Sequence, residues 1–147
     1  MVDLDEKMEM ELLSGISAFE AKYFGDASKL LSPLADAGNP EAQYRMAVMA
    51  QNGLGMVKND GLALRYMTAA AESGHALAQH GLGFMYMEGE CVGSDPVKAM
   101  VWFRRAADQG MIGSLATMAR MYQEGLGVDK DPEEAKRLYR AAGFDEV

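Results

Sequence analysis

A block of sequence recurs at a fixed step of 36 residues, and that period confines the chain to folds assembled from stacked, similar units. Ala63-Leu64-Arg65-Tyr66-Met67 aligns with Ala99-Met100-Val101-Trp102-Phe103 and with Ala135-Lys136-Arg137-Leu138-Tyr139. The same step carries Gly38 to Gly74 to Gly110, Met46 to Leu82 to Met118, Met49 to Met85 to Met121, and Gly53 to Gly89 to Gly125. One such unit cannot bury its apolar face alone, so neighbours must stack and leave an extended surface for binding.

Alanine, methionine and leucine dominate the apolar residues, β-branched residues are sparse, and only 4 prolines occur, which favours an all-α fold. The length of 147 residues suits one helical-repeat domain. Its expected parts are an N-terminal capping helix over 1–25, repeats over 26–60, 61–96 and 97–132, and a closing half-repeat over 133–147. The formal charge is −8, and residues 1 to 13 supply half of it through Asp3, Asp5, Glu6, Glu9 and Glu11 against Lys7. Nucleic acid is excluded as an expected partner, because phosphate binding needs a concentrated basic surface. Arg104, Arg105, Lys136, Arg137 and Arg140 do cluster late in the chain, where they read as a solvated helix face. A single cysteine, Cys91, forbids an internal disulfide framework. The acidic start differs from a signal peptide, and no run is long enough to span a membrane. The expectation is a cytoplasmic protein, or an exported one where a leader has been removed.

Each unit reads as two antiparallel helices. Asp95-Pro96 supplies an N-cap carboxylate and a proline at the first helical position, where the missing N–H costs nothing. Ala99, Trp102, Phe103, Ala106 and Ala107 follow at three- and four-residue steps and are expected to be buried, up to a stop at Gly110. Ser114, Met118, Ala119, Met121 and Tyr122 mark the stripe of a second helix, which ends at Gly125-Leu126-Gly127. Asn39, Asn59 and Asp131 offer matching caps. Ala47, Gly83 and Ala119 share one small-residue slot, and Ala70, Ala106 and Ala142 another, which suits close helix approach. Trp102 and its equivalents Tyr66 and Leu138 are expected to fill the wider gaps. Residues 3 to 24 are expected to form one longer first helix.

The pattern Ala99, Trp102, Phe103, Ala106, Ala107, Gly110, Met118, Ala119, Met121, Tyr122, Gly125, Gly127, Val128 and Asp131 resembles the Sel-one-like repeat family, relatives of the tetratricopeptide repeats. The preceding unit adds Ala78, Leu82, Gly83, Met85, Tyr86 and Gly89. Cys91 stands where the second loop glycine belongs, and Ala50 replaces the family tyrosine. The resemblance covers roughly residues 20 to 143. It implies a right-handed α-solenoid, a superhelix of antiparallel helix pairs with about three and a half repeats, of the kind found in bacterial and eukaryotic adaptors. By similarity to tetratricopeptide geometry, the helices starting near Glu41, Leu77 and Gly113 line the concave surface.

Removing the core stripe from those helices leaves Tyr44, Val48 and Gln51 in the first unit, His80, Phe84 and Met87 in the second, and Arg120 and Gln123 in the third. These are the expected groove residues for a protein or peptide partner. An apolar anchor would sit on Phe84 and Met87, and Arg120 would suit a carboxylate, or else pair with Glu124. The chemistry of catalysis is not spelled out. His75 and His80 with Cys91 lack the paired spacing of zinc ligands, and the Gly-x-Gly pairs lack the lysine and hydroxyl of a phosphate cradle. The expectation is therefore a scaffold with no cofactor and no metal, not an enzyme, existing as a monomer or weak homo-oligomer. The alternatives are a small-substrate hydrolase, as linked to cysteine-rich relatives whose paired cysteines this chain lacks, and a self-assembling structural protein.

Overall fold

A computed structural model describes residues 3–144; the ends of the expected domain span, 1–2 and 145–147, lie outside the described residues. Within them the chain forms eight helices: α1 (Leu4–Glu20), α2 (Phe24–Asp36), α3 (Pro40–Asn52), α4 (Asp60–Glu72), α5 (Ala76–Glu88), α6 (Pro96–Asp108), α7 (Ile112–Glu124) and α8 (Pro132–Ala141). They fall into two compact units, residues 1–75 and 76–147. In the first, α1 packs on α2, α2 on α3, and α3 on α4. In the second, α5 packs on α6, α6 on α7, and α7 on α8.

The helix starts follow from their caps. Side chains of Asn39, Asn59, Asp95 and Asp131 each accept a hydrogen bond from the backbone N–H three residues on, at the heads of α3, α4, α6 and α8. Proline follows the cap at Pro40, Pro96 and Pro132. The long loops close in register as well. The N–H of Asn59, Asp95 and Asp131 donates to the carbonyl of Ala50, Tyr86 and Tyr122 at 2.8–2.9 Å.

The first helix departs from its expected span. It ends at Glu20, because Lys22 takes a left-handed φ of 65° and breaks the helix before α2 begins at Phe24. Three residues (21–23) join α1 to α2, where seven form each later loop of this kind (53–59, 89–95, 125–131). With that shortening removed, Gly15 takes the small-residue slot of Ala47, Gly83 and Ala119. A Cβ on Gly15 would lie 2.5 Å from Leu31 Cδ2, and one on Gly83 would lie 2.7 Å from Phe103 Cε1. Leu31 and Phe103 occupy the same slot two periods apart, so the same close approach builds both units.

The core of the second unit gathers Ala99, Met100, Phe103, Met118, Ala119, Met121 and Leu138. Phe103 is fully buried, and burying such a side chain contributes about 1.5–3 kcal/mol. Three members of the expected stripe are only half-buried: Trp102, Ala107 and Tyr122. Phe103, next in sequence to Trp102, points into the stack, so Trp102 lies toward its edge, with Arg105 Cζ 4.7 Å from its ring centroid. In the first unit Tyr66 occupies the Trp102 slot and is buried, its hydroxyl donating to Asp36 of α2. Ala50, in the tyrosine slot, is fully buried.

Where the long loops have a second glycine, at Gly55 and Gly127, it sits against backbone. Gly127 has φ 68°, and a Cβ there would lie 2.4 Å from the Pro96 carbonyl oxygen. Cys91 adopts the same left-handed turn, with φ 65°, so cysteine in the glycine slot leaves the loop geometry intact.

Candidate functional site

Each unit presents its own set of the groove residues read from sequence. In the second unit α5 and α7 bring His80, Phe84, Met87 and Arg120 into one neighbourhood. His80 Nδ1 lies 2.7 Å from Ser114 Oγ, which ties the two helices together. The imidazole meets Phe84 edge to face at 4.9 Å, and Phe84 in turn meets the buried Phe103 ring at 5.0 Å. Phe84 and Met87 are thus half-buried against the core as well as half-open to solvent, so they serve packing and surface together. Burial pushes the His80 pKa below its ordinary value, which keeps the ring neutral at pH 7.

Arg120 is exposed and directs its guanidinium at Met87, with Nη2 3.7 Å from Sδ. Among the described residues it forms no ion pair. This corrects the expected i, i+4 pairing with Glu124: packing of α5 beside α7 puts a thioether within reach of the guanidinium instead. Gln123 is exposed and accepts a long hydrogen bond of 3.4 Å from the Tyr139 hydroxyl. Leu77, at the start of α5, is 46% exposed and extends the apolar surface beyond Phe84 and Met87.

In the first unit Tyr44, Val48 and Gln51 lie on one face of α3 and are half-buried. Tyr44 stacks on His75 at 5.0 Å. The Val48 carbonyl accepts from Asn52 Nδ2 at 2.8 Å. Sequence reasoning placed His75 in a turn and missed what it does there. Its Nε2 lies 2.6 Å from Glu41 Oε2, while Arg45 Nε donates to Glu41 Oε1 at 2.9 Å. Arg45 also lies 3.6 Å from Glu20 of α1 and over the Phe19 ring. Burial raises the Glu41 pKa, but the hydrogen bonds from His75 and Arg45 outweigh it and hold the carboxyl below its ordinary range. Both histidine pairings span 34 residues, from Glu41 to His75 and from His80 to Ser114, and each joins residues that only packing brings together.

The His80–Ser114 contact has the composition of a base and nucleophile, yet Ser114 is 0% exposed, so no substrate carbonyl can reach its hydroxyl. Among the described residues no group of three or more histidine, cysteine or acidic side chains converges to hold a metal ion. No helix among them is long and apolar enough to cross a membrane.

Helix pairs repeated at a fixed step, small residues at the crossings and glycine-closed loops define an all-α helical-repeat protein of the α-solenoid class. Three consecutive matches to the Sel1 repeat, over residues 40–75, 76–111 and 114–143, show that the chain belongs to the Sel1 repeat family. The crystal structure of a Sel1 repeat protein from Oxalobacter formigenes is similar, with a TM-score of 0.84 and 34% identity over 90% of this chain and 53% of that one. So is c5321, a protective antigen present in uropathogenic Escherichia coli strains, with a TM-score of 0.82 and 28% identity over 100% of this chain and 34% of that one. The chain therefore spans about half and about a third of these two proteins. No protein of curated function matches its sequence.

Proposed function

We propose that the chain is a non-enzymatic adaptor that captures a protein or peptide partner. In the second unit the partner lies along α5 and α7, over Leu77, His80, Phe84 and Met87, with Arg120 and Gln123 beside them. In the first unit Tyr44, Val48 and Gln51 form the equivalent surface of α3. The observation that carries this reading is Arg120, an exposed cation whose one side-chain partner among the described residues is a thioether, bordered by half-open apolar side chains. Such a surface suits a ligand that offers an apolar side chain next to a carboxylate, since the carboxylate would replace a weak contact with a charge-assisted one. The family's general use as a protein-interaction scaffold supports the same reading.

Affinity capture with the wild-type chain and with Arg120→Glu and Leu77→Asp tests it. Both changes fall on exposed positions, so circular dichroism and melting temperature should stay unchanged while the captured partner is lost. Capture that survives both substitutions would move the binding surface elsewhere. The adaptor reading also expects a monomer or weak homo-oligomer, which sedimentation across a concentration range checks.

A further inference from the structure

A cavity of about 300 Å³ opens between α6 and α8 of the second unit, lined by Arg104, Asp108, Leu115, Met118, Arg137 and Leu138 among others. Its volume lies at the lower end of ligand-binding clefts, about 300–1,000 Å³. The sequence period explains why it is open. Two periods earlier the corresponding residues are Asp36 on α2, Met46 on α3, and Arg65 and Tyr66 on α4. There the phenol of Tyr66 fills the space and is only 5% exposed, its hydroxyl donates to Asp36, and Arg65 Cζ lies 5.2 Å from its ring centroid. In the second unit the aspartate, the arginine and the methionine of that receptor recur without the phenol, while Leu115 stands in the slot of Gln43 and Arg104 in that of Ser32. Asp108 replaces Asp36, Arg137 replaces Arg65, Met118 replaces Met46, and the tyrosine slot holds Leu138. The aspartate that accepts from a tyrosine in one unit lines an open cavity in the other, without a hydrogen bond or ion pair among the described residues. Around it, Arg137 forks onto Glu134 and Arg104 Nη2 donates to the Tyr122 hydroxyl at 2.9 Å, so both guanidinium groups are fixed at the rim.

We propose that this cavity is a receptor for a tyrosine side chain of a partner protein, the ring resting on Leu115, Met118 and Leu138 beneath Arg137, with the hydroxyl donating to Asp108. Hydrogen-bond complementarity selects this occupant. Asp108 is exposed and hydrated while the cavity is open; a tyrosine seated there replaces that water with its own O–H donor, whereas a phenylalanine ring would cover the carboxylate without supplying one. The inference rests on the chain acting as a protein-binding module, but uses none of the α5–α7 surface.

The test uses N-acetyl-tyrosinamide and N-acetyl-phenylalaninamide as probes, titrated into the full chain while the methyl resonances of Met118, Leu115 and Leu138 are followed by NMR. The tyrosine derivative should shift these methyls with an affinity in the millimolar range, about tenfold tighter than the phenylalanine derivative. Leu138→Tyr should plug the cavity from within and abolish binding, with the melting temperature unchanged or raised. Asp108→Ala, at an exposed position, should reduce the discrimination to about onefold, and it decides the matter alone if Leu138→Tyr misfolds. Arg120→Glu should leave probe binding unchanged, which separates this site from the α5–α7 face. Equal affinity for the two probes in the wild type, or tenfold discrimination retained in Asp108→Ala, would overturn the proposal.

Discussion

Gly127 offers the sharpest test of how the repeat loops hold the second unit together, because replacing it with alanine raises two separable costs. The first is conformational: φ is 68°, and an L-residue in the left-handed region costs about 1–2 kcal/mol. Part of that is offset, by about 0.4–1 kcal/mol, because alanine also restricts the unfolded chain. The second is steric. The new Cβ would lie 2.4 Å from the Pro96 carbonyl oxygen and 2.5 Å from its carbon. Both are backbone atoms at the start of α6, so relief requires the loop and helix to separate, an overpacking cost of about 1–3 kcal/mol. Gly110 isolates the first cost, since its φ is 86° and a Cβ there meets nothing within 4 Å. Gly110→Ala should therefore destabilise by roughly 1 kcal/mol and Gly127→Ala by about 3 kcal/mol. Urea unfolding followed by circular dichroism measures both. With m near 2 kcal/mol/M, the midpoints should differ by about 1 M at equal m. Equal losses in the two variants would mean that the loop is not wedged against α6, and the account of the glycine slot would fail.

Other consequences follow the same logic. Gln43 is buried and its Oε1 has no hydrogen-bond partner among the described residues, whereas Gln79, one period later, accepts from Gln109 at 2.9 Å. Ser73 stands where Gln109 stands, so Ser73→Gln should restore the bond and stabilise by about 1 kcal/mol in chemical denaturation; a neutral or unfavourable result counts against this pairing. The pKa of His80 is depressed from 6.5 in the folded state, so as pH falls through that value the unfolded chain takes the proton first and stability falls. Measured between pH 8 and 5, wild type should lose stability relative to His80→Asn below about pH 6.5, and parallel profiles would contradict the burial argument. Phe103→Ala should cost about 3–5 kcal/mol and Trp102→Ala clearly less, because only Phe103 is fully buried; thermal melts compare them directly. Cys91→Gly should raise stability by roughly 1 kcal/mol by releasing a left-handed φ of 65°.

Features fixed by local chemistry were readable from sequence. The caps at Asn39, Asn59, Asp95 and Asp131 need only a side-chain oxygen and the next three backbone N–H groups, and each forms as the residues suggest. The small-residue slot and the fully buried Met49, Met85 and Met121 followed from period alone. What escaped depends on which neighbouring helix lies across from a residue. Trp102 and Phe103 are adjacent, and helical spacing does not say which one enters the core; the narrow gap above Gly83 admits Phe103. The Glu41–His75–Arg45 network joins residues whose proximity arises only after α3 and α4 pack. Arg120 reaches Met87 for the same reason, across from α7 to α5. The column of Tyr66, Trp102 and Leu138 is expected to fill the gaps, and at Leu138 it does not: a cavity opens beside Asp108, and only the Tyr66–Asp36 bond shows what the shorter side chain leaves out.

A photo-crosslinking amino acid placed at position 120, on the proposed binding face, and separately at position 97, an exposed site on α6, tests the adaptor reading most directly. Irradiated in cells, the position 120 variant should yield a discrete adduct to one or a few proteins, suppressed by Leu77→Asp in the same chain, and the position 97 variant should not. Adducts that form equally from both positions, or only from position 97, would contradict partner capture along α5 and α7.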